Sequence, residues 1–193
     1  VIVATDGVEP IFVDGEIDPH AWNALTNGVI YVENIAAAMA AADAGNADAY
    51  KANAASYIAR LRALHASAAG TFGSLPEGGR AVVTAHDAFG YLADSYGLNF
   101  LAPVGIDTEA EPSASELAAL IAHLKKTGAG ALFVENITSP ALIEQISKET
   151  GLKIGGRLFS DALSERGGPA TSYVAMFEHN LGAIMTALQD SGS

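Results

Sequence analysis

Two histidines and one aspartate stand where side chains can do chemistry: His20 in Asp18-Pro19-His20-Ala21-Trp22, His86 in Val82-Val83-Thr84-Ala85-His86-Asp87, and Asp161 in Phe159-Ser160-Asp161-Ala162-Leu163. Imidazole nitrogen and carboxylate oxygen are the donors that suit zinc or manganese. The three lie 66 and 75 residues apart, so no local motif holds them and a fold has to converge them. Singly, each has a plainer alternative: a loop histidine need not be a ligand, and Asp161 after Ser160 could be a helix N-cap. Imidazole ligates only without its proton, so affinity is expected to fall below about pH 6.5.

The elements that must position these residues follow from periodicity. Val82–Thr84 is a short β-branched run, and Phe89, Leu92 and Ala93 follow at helical spacing. His86 therefore falls on a turn at the carboxyl end of a strand, where open parallel sheets hold ligands. Pro19 keeps Asp18 out of the helical region and sets His20 near a helix start. Val29, Ile30, Val32, Ile35, Ala36 and Met39 mark an amphipathic helix over Asn27–Ala42, ended by Ala44-Gly45-Asn46. Ala47 to about Phe72 is a second, longer helical pattern, roughly 35–40 Å at 1.5 Å per residue. It is either a strut between two lobes or a long helix packed along one domain.

Beyond the break at Ser74–Gly79 the period alternates. Strands are expected at Ala81–Thr84, Phe100–Val104, Ala131–Val134 and Lys153–Leu158, with helices at Asp87–Tyr96, Ser113–Lys126, Pro140–Glu149 and Thr171–Leu188. That is βαβ punctuation, so the fold class is α/β, a parallel sheet with helices on both faces. Ser113 and Glu116 match a capping box. Val1–Ala4 reads as a strand without neighbours, so the chain is expected to be a fragment, with disorder or an exchanged dimer ahead of Ala47.

Composition narrows the function. The net charge is −12, with 10 basic residues against 22 acidic, which disfavours phosphate backbones and anionic lipid. There is no cysteine, so a thiolate nucleophile and a Cys-based zinc site are both excluded. No apolar run is long enough to span a bilayer. No G-x-G-x-x-G follows any strand, which argues against a dinucleotide site.

Taken together and in order, D-P-H-A-W, V-V-T-A-H-D-A-F-G-Y-L-A-D-S-Y-G-L, L-F-V-E-N and L-F-S-D-A-L-S resemble the zinc/manganese solute-binding proteins of ABC importers, the cluster A-I family. The resemblance covers essentially the whole chain. It implies two α/β lobes joined by a long rigid helix, with the metal in the cleft between them. Residues 1–46 would be the remnant of the N-terminal lobe, 47–73 the linking helix and 74–193 the C-terminal lobe. It implies His20, His86 and Asp161 as metal ligands, His86 at a position held by His in zinc binders and often by Glu in manganese binders. Glu135, in the V-E segment at a strand end, is implied to support the site or fix its loop rather than to ligate. A further histidine expected upstream of D-P-H has no position in this sequence. His65, His123 and His179 lie in helical patterns and read as surface or packing residues.

The implied function is extracytoplasmic or periplasmic capture of Zn(2+), with Mn(2+) less favoured, and delivery to an ABC permease. A periplasmic metallochaperone and a dimer through the truncated lobe are further implied partners. Two other classes stay open: a zinc-dependent hydrolase, for which Glu135 is the only candidate base and H-E-x-x-H is lacking, and a surface adhesin of the same family.

Overall fold

The computed structural model describes residues 1–76, 80–106, 112–127 and 130–191. Its centre is a four-stranded parallel sheet of β3 (Ala81–Val83), β4 (Asn99–Leu101), β5 (Ala131–Glu135) and β6 (Ile154–Leu158), in the order β4-β3-β5-β6. Successive strand residues point to opposite faces, and here both faces are covered. Val82 and Phe133 turn toward one apolar cluster, with Phe72, Leu92, Phe177 and Ile184. Val83 and Leu132 turn toward the other, with Ile121, Leu124, Ile143 and Ile146. α3 (Gly90–Tyr96) and α6 (Tyr173–Ser191) line the first face; α4 (Ala114–Thr127) and α5 (Ala141–Thr150) line the second. The expected α/β class with a parallel sheet is what the chain forms.

The chain reverses direction across the sheet at β3, which has β4 on one side and β5 on the other. The crevice beyond the carboxyl ends of β3 and β5 is thus a topological switch point. Helix ends follow local chemistry. Ser113 and Glu116 close the capping box, Oγ accepting the Glu116 N–H at 3.2 Å and Glu116 Oε2 accepting the Ser113 N–H at 2.9 Å. α5 stops at Gly151, whose φ of +79° is a left-handed cap that costs glycine little.

Ahead of the sheet lie α1 (Leu25–Ala42) and α2 (Ala47–Gly73). α2 is the long helix expected, packing on α1 along one side and on α3 and α6 along the other. Three expectations need correction. Val1–Ala4 is not a strand: these residues are irregular or in a turn, and Val1, Ile2 and Val3 are exposed. β-branched residues without a neighbouring strand have no ladder to join. The strands found there are a two-residue pair, β1 (Phe12–Val13) with β2 (Glu16–Ile17). Nor is the region before Ala47 without structure: Ala21, Ala24, Leu25 and Val29 are buried, while Ile35 and Met39 leave the outer face of α1 apolar. The helix expected from Asp87 begins at Gly90, because residues 84–89 form a bent turn around His86, with the Ala88 N–H bonded to the His86 carbonyl at 3.1 Å. The break at Glu77–Gly79 lies outside the described residues. No helix among the described residues is long and apolar enough to cross a membrane.

Candidate metal centre

His86 follows β3 at the switch point and forms a parallel bridge to Val104. Its turn is pinned from the neighbouring strand. Glu135, the last residue of β5, accepts the N–H of Ala85 at 2.9 Å and of His86 at 3.0 Å on Oε1. Its other oxygen lies 2.8 Å from His86 Nδ1, an ionic contact outside linear hydrogen-bond geometry. One buried carboxylate thus satisfies two backbone donors and faces one side of the ring, leaving Nε2 directed toward Asp161.

His20 is set by a shorter device. Asp18 Oδ1 accepts the His20 N–H at 2.9 Å and contacts His20 Nδ1 at 2.7 Å. Proline between them holds the spacing. Asp18 is buried, and its Oδ2 lies so close to Gly90 that a Cβ there would approach within 2.8 Å. A Cβ at residue 90 would have to push the Asp18 carboxylate aside. Asp161 comes from the loop after β6. Asn180 on α6 fixes the strand end like a missing ladder partner, accepting the Phe159 N–H at 3.0 Å and donating to the Phe159 carbonyl at 2.8 Å.

The three side chains converge. One donor atom each from His20, His86 and Asp161 lies within 4.8 Å of the others. His20 Nε2 is 3.3 Å from Asp161 Oδ1, and His86 Nε2 is 3.3 Å from Asp161 Oδ2. A tetrahedral ion with bonds of about 2.1 Å keeps its donors about 3.4 Å apart, close to the 3.3 Å between each imidazole and the Asp161 oxygen it faces. The imidazoles are buried, and Asp161 is the open member, its side chain 24% exposed. The cleft holding them, about 500 Å³, is rimmed by Ile17, Pro19, Ile106 and Ile137. Each ring also has a carboxylate at Nδ1, the arrangement that fixes the tautomer of metal-binding histidines.

Electrostatics follow from this packing. Burial alone would lower the His20 pKa, but hydrogen bonds to Asp161 and Asp18 outweigh it and push it up to about 9. His86 is likewise lowered by burial and raised more strongly by Asp161 and Glu135, also to about 9. For Asp161, burial pushes upward, yet the two imidazoles hold its carboxyl far below the usual range. Both shifts favour the protonated imidazole, so protons compete with a cation at higher pH than they do for free histidine.

Among the sequence-marked residues, His65 pairs with Tyr96 Oη at 3.2 Å, His179 with the Arg157 carbonyl at 2.8 Å, and His123 is exposed. None joins the cluster. Asp18, Trp22 and Asn180 were not singled out by the sequence, although the carboxylate two residues before a histidine was a usable signal for Asp18.

Residues 1–187 match the family model described as ZnuA, zinc-uptake complex component A, periplasmic. The chain belongs to this family. It is 34% identical over 189 residues to the iron ABC transporter substrate-binding lipoprotein MtsA of Streptococcus pyogenes serotype M1, covering 95% of this chain. It is 33% identical over 190 residues to the manganese ABC transporter substrate-binding lipoprotein PsaA of Streptococcus pneumoniae, covering 96%. The chain spans 61% of the length of these curated relatives. The periplasmic zinc-binding protein TroA from Treponema pallidum superposes with a TM-score of 0.89 at 28% identity, over 96% of this chain and 69% of that one. The manganese-bound periplasmic metal-binding protein from Candidatus Liberibacter asiaticus gives 0.85 at 32%, over 97% and 70%.

Proposed function

We propose that the chain is the metal-capturing part of an extracytoplasmic solute-binding protein that holds Zn(II) as cargo at His20, His86 and Asp161 and hands it to an ABC permease. The observation that carries this is the convergence of two buried Nε2 atoms on one carboxylate, each ring backed by a second carboxylate at Nδ1. Relatives carry names for iron, manganese and zinc, so the choice of zinc rests on the donors. Two imidazoles favour zinc over harder ions that prefer oxygen. On this reading residues 1–46 belong to a first lobe, 47–73 link the lobes and 74–193 form the second.

The charge balance supports capture and release. Both imidazole pKa values are raised, which favours protonated rings in the metal-free site; a divalent ion displacing two protons leaves the charge of the buried cluster unchanged. Binding is then an exchange of two protons for one ion, at little electrostatic cost. A hydrolase would need a free base, and Glu135 is already committed to Ala85, His86 and the His86 ring. Calorimetry with zinc and with manganese tests the proposal. Zinc should bind one ion per chain and more tightly than manganese, and His86→Ala should weaken zinc by more than about a hundredfold, exceeding the usual loss of an outer partner. Equal zinc affinity in His86→Ala overturns it.

A further inference from the structure

Residues Asp18–Ala24 carry His20 and precede α2, on the side of the chain assigned to the first lobe. Several of their hydrogen bonds nevertheless run to the elements around the parallel sheet. Asn23 Nδ2 donates to the Ala88 carbonyl at 2.8 Å, on the His86 turn. Tyr91 on α3 donates to the Asp18 carbonyl at 3.3 Å, and Tyr173 on α6 lies 2.7 Å from the Trp22 carbonyl and 3.1 Å from that of Ala24. The indole Nε1 of Trp22 donates at 2.8 Å to the carbonyl of Ser160, 138 residues away and immediately before Asp161. The same ring meets the His20 imidazole edge to face, centroids 5.4 Å apart. One side chain therefore touches both the His20 ring and the backbone that carries Asp161.

We propose that Trp22 is a positioning residue that clips the His20 segment to the Asp161 loop, so that His20, His86 and Asp161 form a preassembled three-donor face on the body of the parallel sheet. The three stay together with and without the ion. Release then proceeds by movement of whatever completes the shell from the open side of the cleft, and not by parting His20 from Asp161. This rests on the metal reading above. An indole N–H is a donor only, so phenylalanine keeps most of the ring and removes the clip.

Trp22 is the chain's only tryptophan, which makes the test direct. In the unsubstituted full chain, its emission maximum and acrylamide quenching should be the same in saturating zinc and in excess chelator. Trp22→Phe should weaken zinc binding roughly tenfold, because a looser metal-free site is less often in the binding geometry. It should also alter the visible absorption of bound Co(II), which a remote structural role would leave alone. A red-shifted, more quenchable tryptophan on chelation overturns the clip, as does unchanged zinc affinity with an unchanged cobalt spectrum in Trp22→Phe. The wild-type fluorescence decides the matter even if the variant does not fold. No zinc binding by the unsubstituted chain sinks the metal reading itself, a result separable from failure of the clip alone.

Discussion

The two histidine arms of the site solve one problem in opposite ways. The His20 arm is local: Asp18 and His20 are two residues apart, and one carboxylate oxygen sets both backbone and ring. The His86 arm is tertiary: Glu135 reaches it from the next strand, 49 residues on, and also holds two backbone donors. The local arm is self-contained but hangs on side-chain tethers. The tertiary arm is part of the sheet and shares its stability. Damage to the first should therefore cost affinity, and damage to the second should cost affinity and folding together.

The largest effect is expected from Glu135→Ala. It strands two buried N–H groups, each worth about 1–3 kcal/mol, and leaves His86 without its carboxylate. Thermal melting of the metal-free chain should drop by more than about 8 °C, and zinc affinity should fall as well. Asp18→Asn should separate the two costs, lowering zinc affinity by about 10–100-fold with a smaller change in melting. Equal loss of melting temperature in both variants would erase the distinction between the arms. Gly90→Ala is a gentler probe of the local arm, since its Cβ displaces the Asp18 carboxylate without removing it; calorimetry should show a loss smaller than that of Asp18→Asn.

Proton linkage sharpens the comparison further. Both histidines have raised pKa values, so their contribution to metal-free stability is fully present below about pH 6.5 and lost as pH rises through about 9. Asp161 is shifted down, so its contribution is lost as pH falls into the acid range. Metal-free melting should thus decline from pH 6.5 to 9, while zinc affinity rises over the same range by up to about a hundredfold per unit. Titrations near neutral pH in buffers of different ionisation enthalpy should count close to two protons released per ion. The smallest effect belongs to His65→Ala and His123→Ala, which should leave zinc affinity unchanged.

How much of this was legible in the sequence follows the same division. The βαβ alternation, the long α2 helix and the Ser113–Glu116 box were readable because each depends on neighbours a few residues away. His86 was readable as a turn residue because a β-branched run ends just before it. The three candidate ligands became a set only through resemblance, since nothing local links His20, His86 and Asp161. Trp22 and Asn180 were not readable as site residues: each acts on a backbone group 138 or 21 residues away, and neither type nor spacing marks that. Val1–Ala4 shows the converse error, propensity without a partner strand. The upward shift of both histidine pKa values was not readable either, because only the fold brings Asp161 between the imidazoles.

The central claim is that three distant side chains close on one ion. Anomalous diffraction at the zinc edge, on crystals grown with one equivalent of zinc, tests it most directly. A single peak about 2.0–2.2 Å from His20 Nε2, His86 Nε2 and an Asp161 oxygen is the expected result. A peak elsewhere, with the three side chains apart, would contradict it.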